Sequence, residues 1–394
     1  MVTTKIKNTI ENIITDNDPV CGICLKPLLS ILSVVYGGAV TLKRKAYQKG
    51  VLRPKKLPCI VISIGNLTMG GTGKTPMTLY VAERIKELGY TASIISRGYK
   101  GRTEKKGGIV SDGRNLLMSS KDAGDEPFMM ASILRDIPVV VGQNRFDAGM
   151  LAVRHFDPDV LVLDDAFQHV KLKRDIDLVL LDYRRPFGNG CLLPLGVLRE
   201  PITSLFQADA LILTRFDADD GAENTSILAK LESYAQGIPI FKAYHVPYIQ
   251  QVVKQDNCSL EENFLKTLTC DSNFLKGRRV FPFSGIANHK DFLKTVESLG
   301  AVVTDFQEFP DHYQYKDIDY KRVIQSAVDA GTDYLVTTEK DYVRMANMPK
   351  WPVDLVVLGV GISFGEADGA FKAFIKNRIE DNGRLAKVKE YSGE

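Results

Sequence analysis

Short runs of β-branched and aliphatic residues recur along the chain, separated by stretches of helical or loop character. Nearly every position in these runs is apolar, which is typical of parallel strands covered on both faces. They predict a doubly wound parallel α/β sheet with strands at 59–65, 91–97, 137–142, 160–165, 178–182 and 210–214. A second α/β rhythm predicts a smaller α/β domain, with strands within 279–288, 301–306, 333–341 and 353–359.

The first apolar run ends in a glycine-rich turn, after which apolar residues recur at helical spacing over 77–88. A strand, a glycine-rich turn and a helix in this order indicate a loop whose backbone N–H groups close around phosphate oxygens. An ordinary glycine turn is the structural alternative. The residues predicted to bind nucleotide phosphates are Thr68, Met69, Gly70, Gly71, Thr72, Gly73, Lys74 and Thr75.

Lys74 can reach the β- and γ-phosphates of a nucleotide, and the Thr75 hydroxyl can bind Mg²⁺. The usual phosphate-loop pattern would have glycine where this chain has Thr68. Two acids, Asp164 and Asp165, end one predicted strand, and carboxylates at such a position hold Mg²⁺ in phosphate-loop enzymes. Acids that merely cap a strand in solvent are the alternative. These residues predict a Mg²⁺ site formed by Thr75, Asp164 and Asp165.

Other polar residues follow the predicted strands, at the sheet edge where ligands of doubly wound folds gather. Tyr99 and Asp125 are candidates to face the γ-phosphate and its acceptor, although an acid before a helix is often only an N-cap. Arg145 and Arg199 could neutralise charge on a transferred phosphoryl group, or could form surface salt bridges. His312 is the most suggestive of the five histidines.

Residues 25–42 form an apolar stretch interrupted by Gly37 and Gly38, and residues 43–56 carry basic side chains and no acidic one. We expect this stretch to be too short and too interrupted for a membrane span of about 20 residues. An apolar helix with a basic flank is typical of binding to a membrane surface. A helix packed on its own domain explains the pattern equally well.

The composition excludes several classes of partner. A net charge of +3 gives no argument for binding nucleic acid, and no obligate protein partner is evident. Six scattered cysteines and the lack of a signal-peptide pattern indicate a reducing, cytoplasmic compartment. Cys21 and Cys24 have CxxC spacing, but no second pair follows to complete a zinc site.

A chain of 394 residues is long enough for two domains. We expect an N-terminal extension over 1–24, a phosphate-loop domain with the membrane-associating helix over 25–236, a smaller α/β domain over 237–374 and a charged tail over 375–394. The polar stretch 250–273 is typical of an insertion or a mobile connection.

Eight motifs stand in one order along the chain. They are Ile64-Gly-Asn-x₃-Gly-Gly-Thr-Gly-Lys-Thr-Pro76, Ser96-Arg-Gly-Tyr99, Gly124-Asp-Glu-Pro127, Asp164-Asp-Ala-Phe-Gln-His169, Leu198-Arg-Glu-Pro201, Ser284-Gly-Ile-Ala-Asn288, Asp311-His-Tyr313 and Thr337-Thr-Glu-Lys-Asp341. Together these motifs resemble the tetraacyldisaccharide 4'-kinase family of lipid A biosynthesis. The resemblance covers about Leu25 to Arg344, and Thr68 fits the family's form of the phosphate loop.

The resemblance implies transfer of the ATP γ-phosphate, with Mg²⁺, to the 4'-hydroxyl of a tetraacylated disaccharide 1-phosphate, which forms lipid IVA. It implies a peripheral enzyme at the cytoplasmic face of the inner membrane, bound through residues 25–56, and a dyad of Asp125 and His312 that activates the hydroxyl. The other site residues that it implies are Lys74 and Thr75 for phosphate and Mg²⁺, Asp164, Asp165 and Gln168 for metal and acceptor, and Tyr99, Arg145 and Arg199 as support.

Because Asp125 falls in the first expected domain and His312 in the second, we expect the dyad to form only when the domains close. The main alternative function is a switch, either a phosphate-loop GTPase or a metallochaperone-type NTPase, which shares the loop and the strand-end acids. Thr214-Arg-Phe-Asp217 stands where GTPases read guanine but matches that pattern poorly. A membrane-attached nucleotide-binding scaffold would leave the loop at Asp125 unexplained.

Overall fold

The computed structural model describes residues 22–216, 228–229, 231–255, 273–345 and 350–382. Its helices are α1 (Gly22–Gln48), α2 (Lys74–Glu87), α3 (Ser120–Ala123), α4 (Asp125–Ile133), α5 (Arg145–Phe156), α6 (His289–Ser298), α7 (Asp317–Asp329), α8 (Glu339–Tyr342) and α9 (Asp368–Asp381). Its strands are β1 (Ile60–Asn66), β2 (Ala92–Ser96), β3 (Gly108–Ser111), β4 (Val139–Val141), β5 (Val160–Asp164), β6 (Ile176–Asp182), β7 (Ala210–Thr214), β8 (Ile240–Lys242), β9 (Tyr244–Val253), β10 (Arg279–Ser284), β11 (Val302–Val303), β12 (Gln307–Glu308), β13 (Tyr334–Thr338) and β14 (Leu355–Ser363).

The chain forms two compact units, and their limits differ from the expected domains. Unit 1 takes its described residues from Met1–Ser96, Arg145–Tyr244 and Ser363–Glu394, and unit 2 from Arg97–Asn144 and His245–Ile362. The expected boundary at 236/237 lies near one of the crossings, but the other crossings were not predicted. Local sequence patterns predict elements, whereas unit membership depends on which distant elements pack together.

Unit 1 contains a parallel sheet with the strand order β2-β5-β1-β6-β7-β8. All residues of β1, β5 and β7 are buried, so apolar side chains are needed at nearly every position. This confirms the predicted doubly wound α/β fold. β1 lies in the middle of the sheet and leads directly into the predicted phosphate loop.

Unit 2 contains a second sheet with the order β11-β10-β13-β14-β9, and β12 pairs with β10. The neighbouring pairs β10–β13 and β13–β14 are parallel, which agrees with the predicted second α/β rhythm. The predicted strand 137–142 is observed as β4, but it pairs antiparallel with β3 and belongs to unit 2. The pattern did not predict β3, because that strand has four residues and only half of them are buried.

Helix α1 continues through Gly37 and Gly38, which corrects the expectation of an interrupted stretch. The segment Leu25–Gln48 is long and apolar enough to cross a membrane by length and composition alone, so it is not too short either. A Cβ on Gly37 would lie 2.6 Å from Leu192 Cδ1. This glycine therefore permits a close approach to the rest of unit 1 and does not break the helix.

One face of α1 is tied to unit 1 and the other is exposed. Tyr36 Oη donates to the carbonyl of Arg199 at 2.8 Å, and the buried Arg44 guanidinium pairs with the buried Glu200. The first face agrees with the interpretation of a helix packed on its own domain, whereas binding to a membrane surface stays a prediction for the other face. The exposed apolar side chains on the other face are Leu28, Ile31, Leu32, Val34, Val35 and Leu42.

The expected tail at 375–394 begins too early, because α9 extends to Asp381 within unit 1. Phe371, Ile375 and Ile379 are spaced four residues apart and are fully buried, so they form the apolar stripe of a packed helix. Charged side chains lie between these residues, so the overall composition of the segment predicted a charged tail and not a packed helix. Residues 1–21 of the expected extension over 1–24, most of the stretch 250–273 and the end of the tail lie outside the described residues.

Candidate active site

The phosphate loop of unit 1 connects β1 to α2. Gly70 and Gly73 have φ angles of 122° and 82°, a region that favours glycine, and Gly73 is the N-cap of α2. Thr72 holds the loop in place, because Asn66 Nδ2 donates to its hydroxyl and Thr214 Oγ1 to its carbonyl, each at 2.9 Å. The loop thus presents the N-terminal N–H groups of a 14-residue helix, which suits phosphate binding.

The structure explains why Thr68 can replace the usual glycine. Thr68 forms an antiparallel bridge with Leu198, and the next N–H, of Met69, donates to Val197 at 2.7 Å. Thr68 is not among the residues with positive φ, so its position does not require glycine. The first residues of the loop are therefore hydrogen-bonded to the segment 197–198, which directly precedes Arg199.

Asp165 is the centre of a group of cations in unit 1. Arg199 Nη1 donates to Asp165 Oδ1 at 2.7 Å, and Lys74 Nζ lies 3.8 Å from the same oxygen. Burial alone would raise the pKa of Asp165, but the charges of Lys74 and Arg199, with a contribution from Arg145, hold this pKa below its ordinary value. Asp165 also has a φ of 50°, an uncommon conformation for a residue other than glycine.

Asp164 is buried and is held by hydroxyl groups. Ser96 Oγ donates to Asp164 Oδ2 at 3.1 Å, and Thr78 Oγ1 to Oδ1 at 3.4 Å. Arg145 Nη2 donates to the Asp164 carbonyl at 3.3 Å. The structure therefore places Asp164, Asp165, Arg145 and Arg199 together in unit 1, as the sequence pattern led us to expect.

The donor atoms around the loop fit a Mg²⁺ ion. Among the described residues no group of three or more His, Cys, Asp or Glu is arranged as a metal site. Mg²⁺ commonly takes one or two carboxylates and completes its shell with water and substrate phosphates, so such a group is not needed. Gln168 Nε2 donates to the Asn66 carbonyl at 2.8 Å, and its buried Oε1 has no hydrogen-bond partner among the residues that the structure describes. This oxygen can accept a hydrogen bond from a metal-bound water or a substrate hydroxyl.

His169 belongs to one of the quoted motifs, but its electrostatic state could not be predicted from it. Burial, and then the charges of Arg145 and Arg174, lower the pKa of His169 to about 4. The imidazole is therefore neutral at physiological pH and can both donate and accept a hydrogen bond.

Asp125 and His312 lie together in unit 2. His312 Nδ1 is 3.3 Å from Asp125 Oδ2, and His312 has a φ of 60°. Both residues belong to the same unit, which corrects the expectation that they come from different domains and meet only on closure. Asp125 is the first residue of α4 and follows Gly124, whose φ is 90°.

Arg344 joins the two residues, and sequence reasoning missed it. Its side chain is fully buried, and its Nε donates to Asp125 Oδ2 at 2.7 Å. Burial alone would raise the pKa of Asp125, but the contacts with His312 and Arg344 outweigh it and hold this pKa below its ordinary value. The sequence signal that could have pointed to Arg344 is its spacing of three residues from Asp341, at which oppositely charged side chains can pair on one face of a helix.

Tyr99 also lies near this pair. Its ring is edge-on to the His312 imidazole at a centroid distance of 6.5 Å, and it is largely exposed. The Arg97 guanidinium and the Lys100 ammonium lie 5.9 and 5.5 Å from the centre of the Tyr99 ring. The structure therefore groups Tyr99, Asp125 and His312 in unit 2, and the phosphate loop with its acids in unit 1.

The motif 337–341 supports α4 and contains a buried acid. Lys340 Nζ pairs with Glu126 Oε1 at 2.6 Å, one residue after Asp125. Glu339 accepts a hydrogen bond from Tyr248 Oη at 2.5 Å and is 7% exposed. Burial raises the pKa of Glu339 to about 7 from an ordinary value of 4.5, although Tyr248 and Lys340 act to lower it.

This raised pKa predicts a pH-dependent loss of stability. Folded Glu339 keeps its proton up to about pH 7, whereas the unfolded chain releases it near 4.5. Stability therefore falls as the pH rises through this interval and is constant above it. Relative to Glu339→Gln, we expect the wild type to lose up to about 3 kcal/mol of unfolding free energy between about pH 5 and pH 8, in urea titrations. Glu297→Gln, at an exposed position, is the control, and parallel curves for wild type and Glu339→Gln would contradict the prediction.

The chain is similar to known proteins over most of its length. The profile of the family Tetraacyldisaccharide-1-P 4'-kinase matches residues 25–380. A tetraacyldisaccharide 4'-kinase of Desulfatibacillum aliphaticivorans is 38% identical over 355 residues, 90% of this chain and 92% of the relative. The corresponding protein of Syntrophus aciditrophicus is 38% identical over 339 residues, 84% and 88% of the two chains. LpxK from Aquifex aeolicus in complex with ATP matches with a TM-score of 0.69 and 31% identity, covering 90% of this chain and 98% of that one.

Proposed function

Because the chain belongs to the tetraacyldisaccharide 4'-kinase family, we propose that the two groups of residues described above supply the two halves of one phosphoryl transfer. The enzyme is a kinase with an alcohol acceptor, and it phosphorylates the 4'-hydroxyl of tetraacyldisaccharide 1-phosphate in lipid A biosynthesis. The phosphate donor is ATP. The observation that favours a kinase over a switch is the contact between His312 and Asp125 at 3.3 Å, because a switch needs no base for an acceptor alcohol.

The phosphate loop binds the donor. Its N–H groups and Lys74 hold the β- and γ-phosphates, and Arg145 and Arg199 offset charge on the transferred group. Thr75, Asp164 and Asp165 would supply the hydroxyl and carboxylate oxygens that hold Mg²⁺, and the ion would offset negative charge on the phosphates.

Asp125 takes the proton of the acceptor. The bond between the 4'-oxygen and the γ-phosphorus forms, the bond from that phosphorus to the β–γ bridging oxygen breaks, and ADP leaves with the electron pair. The hydroxyl proton passes to Asp125, which is ionised at neutral pH because its pKa is lowered. A sugar hydroxyl is a weak nucleophile, so this transfer lowers the barrier.

The guanine-reading alternative is disfavoured by the contacts of its supposed motif. Thr214 Oγ1 donates to Thr72, and Arg215 Nη1 pairs with Asp182 at 2.8 Å. These side chains support the loop and the sheet edge. Asp217 lies outside the described residues.

Transfer of label from γ-labelled ATP to tetraacyldisaccharide 1-phosphate in detergent micelles with Mg²⁺ tests the function. We expect labelled lipid. Steady hydrolysis that prefers GTP, without labelled lipid, would instead identify a switch.

Helix α1 places the enzyme on the inner membrane at its cytoplasmic face. Its exposed apolar side chains suit the boundary between headgroups and acyl chains, and basic residues that follow suit anionic lipid. The basic residues apart from the buried Arg44 are Lys43, Lys45, Lys49, Arg53, Lys55 and Lys56.

We expect Val35→Asp combined with Leu42→Asp to weaken binding to vesicles of mixed neutral and anionic lipid by tenfold or more. These side chains are 64% and 71% exposed, so the change removes apolar contact with the membrane and leaves the packed face of α1 intact. Co-sedimentation measures the binding. Ile318→Asp, at a position 65% exposed in α7, is the matched control. Equal binding of all variants would contradict the assignment.

A further inference from the structure

Arg344 contacts both members of the proposed dyad through different nitrogens. Its Nε donates to Asp125 Oδ2 at 2.7 Å, and its Nη2 lies 3.1 Å from His312 Nδ1. Its Nη1 donates to the Gly285 carbonyl at 2.8 Å and lies 3.3 Å from Asp341 Oδ1. All three nitrogens of this guanidinium are therefore engaged in a fixed arrangement.

The direction of the contact with His312 follows from chemistry. A guanidinium has five N–H donors and no acceptor, so its hydrogen bond to Nδ1 needs a lone pair on that nitrogen. A proton on Nδ1 would bring two N–H groups face to face at 3.1 Å. The same Nδ1 lies 3.3 Å from Asp125 Oδ2, an acceptor to which only a protonated Nδ1 could donate. The contact with Arg344 is the shorter of the two, and the guanidinium can donate from Nε to Oδ2 and from Nη2 to Nδ1 at once. This arrangement favours the neutral imidazole with its proton on Nε2.

The contacts of Asp125 point the same way. Within the part of the chain that the structure describes, Arg344 Nε and His312 Nδ1 both contact this carboxylate at Oδ2, at 2.7 and 3.3 Å. Asp125 keeps 19% of its side chain exposed, so Oδ1 is the oxygen left for a substrate hydroxyl.

The position of Arg344 is itself fixed by its neighbours. Asp341 Oδ1 accepts from the N–H of Gly285 and from Tyr315 Oη, each at 3.0 Å, and Thr338 Oγ1 donates to Asp341 Oδ2 at 2.7 Å. The N–H of His312 donates to the carbonyl of Gly285 at 3.2 Å. Gly285 and Asp341 thus connect the backbone of His312 to the side chain that contacts its ring.

We propose that Arg344 is the positioning residue of the dyad: it holds His312 in the tautomer with its proton on Nε2 and occupies Asp125 Oδ2, which leaves Oδ1 to receive the hydroxyl proton. This deepens the proposed function and rests on it. His312 then acts as a hydrogen-bond donor through Nε2 to a substrate oxygen, and it does not relay the proton of Asp125.

The tautomer can be measured without any substrate. The full chain is labelled with ¹⁵N-histidine, and the ring nitrogens of the five histidines are resolved by two-bond ¹H–¹⁵N correlation, with His312→Gln to assign the signal. In the wild type near pH 7.5 we expect His312 Nδ1 unprotonated and Nε2 protonated. A protonated Nδ1 would overturn the proposal.

Arg344→Lys tests the cause of this tautomer. Lysine keeps the positive charge but carries its donors on one nitrogen. It therefore cannot contact Asp125 and His312 through two separate nitrogens, as the Arg344 guanidinium does. We expect the Nδ1-protonated form of His312 to appear and kcat to fall about tenfold or more, with the KM for ATP unchanged. Arg279→Lys is the matched control, because Arg279 Nη2 donates to the Ala330 carbonyl at 2.6 Å. It should leave the His312 tautomer and kcat at wild-type values.

The outcomes separate the inference from the function on which it rests. An unchanged tautomer in a folded Arg344→Lys protein, or a changed tautomer with unchanged kcat, would overturn the role of Arg344. The expected wild-type tautomer without any labelled lipid would refute the proposed function, and the assignment of the His312 proton would stand.

Discussion

Asp125→Asn is expected to lower kcat for lipid phosphorylation by about 10²–10⁴-fold and to leave the KM for ATP close to the wild-type value. The amide cannot take the hydroxyl proton, and general base catalysis typically contributes a factor of this size. The loop that holds ATP belongs to the other unit and is unchanged by the substitution. Steady-state kinetics with γ-labelled ATP and the acylated disaccharide in micelles measure both constants.

The control for Asp125→Asn must separate lost chemistry from lost folding. Removing the Asp125 charge leaves the fully buried Arg344 with one carboxylate fewer, and breaking a buried pair can cost about 3–5 kcal/mol. Thermal unfolding of the variant therefore accompanies the kinetics. Asp305→Asn makes the same change at an exposed position of unit 2 and should retain full activity. A folded Asp125→Asn protein with wild-type kcat would show that Asp125 is not the base.

Lys74→Ala is expected to lower kcat/KM for ATP by about 10³-fold or more. Lys74 is the first residue of α2, and its ammonium lies 3.8 Å from Asp165 Oδ1. From there it can reach the β- and γ-phosphates of a nucleotide bound at the helix N-terminus, as proposed above. A preorganised charge of this kind commonly raises kcat by a factor of about 10²–10³, and Lys74 is also expected to contribute to the binding of ATP. Kinetics and equilibrium binding of ATP give the two contributions separately.

The loss in Lys74→Ala has an electrostatic consequence for Asp165. Lys74 is the leading charge that holds the pKa of Asp165 down against burial, so without it this pKa should rise. Lys86→Ala, in the last turn of the same helix and exposed, is the matched control. Unchanged ATP binding and turnover in Lys74→Ala would exclude the phosphate-loop assignment.

The elements of the fold that could be predicted from sequence are those whose causes are local. All seven residues of β1 are buried, and apart from Ser63 and Asn66 they are aliphatic or glycine, which the pattern shows. Gly73 caps α2 at a positive φ, and the glycine-rich turn between strand and helix shows that as well. Thr68 was the exception, and its pairing with Leu198 is a contact that the local sequence does not reveal.

Predictions failed where the cause was distant in the chain. The expected domain limits did not predict that the segment 97–144 belongs to unit 2 or that 363–382 belongs to unit 1. Membership of a unit depends on packing between strands and helices that are far apart in sequence. The predicted tail failed because a stripe of Phe371, Ile375 and Ile379 lies between charged residues. The predicted break in α1 failed because Gly37 serves the approach to Leu192.

The sequence by itself determined the family, the doubly wound sheet, the phosphate loop and the acids Asp164 and Asp165, since each depends on neighbouring residues. Only the tertiary structure decided that Asp125 and His312, 187 positions apart, share one unit, and that Arg344, 219 positions from Asp125, contacts both. The physical reason is that a hydrogen bond between distant residues depends on sheet order and packing, which no single window of the chain contains.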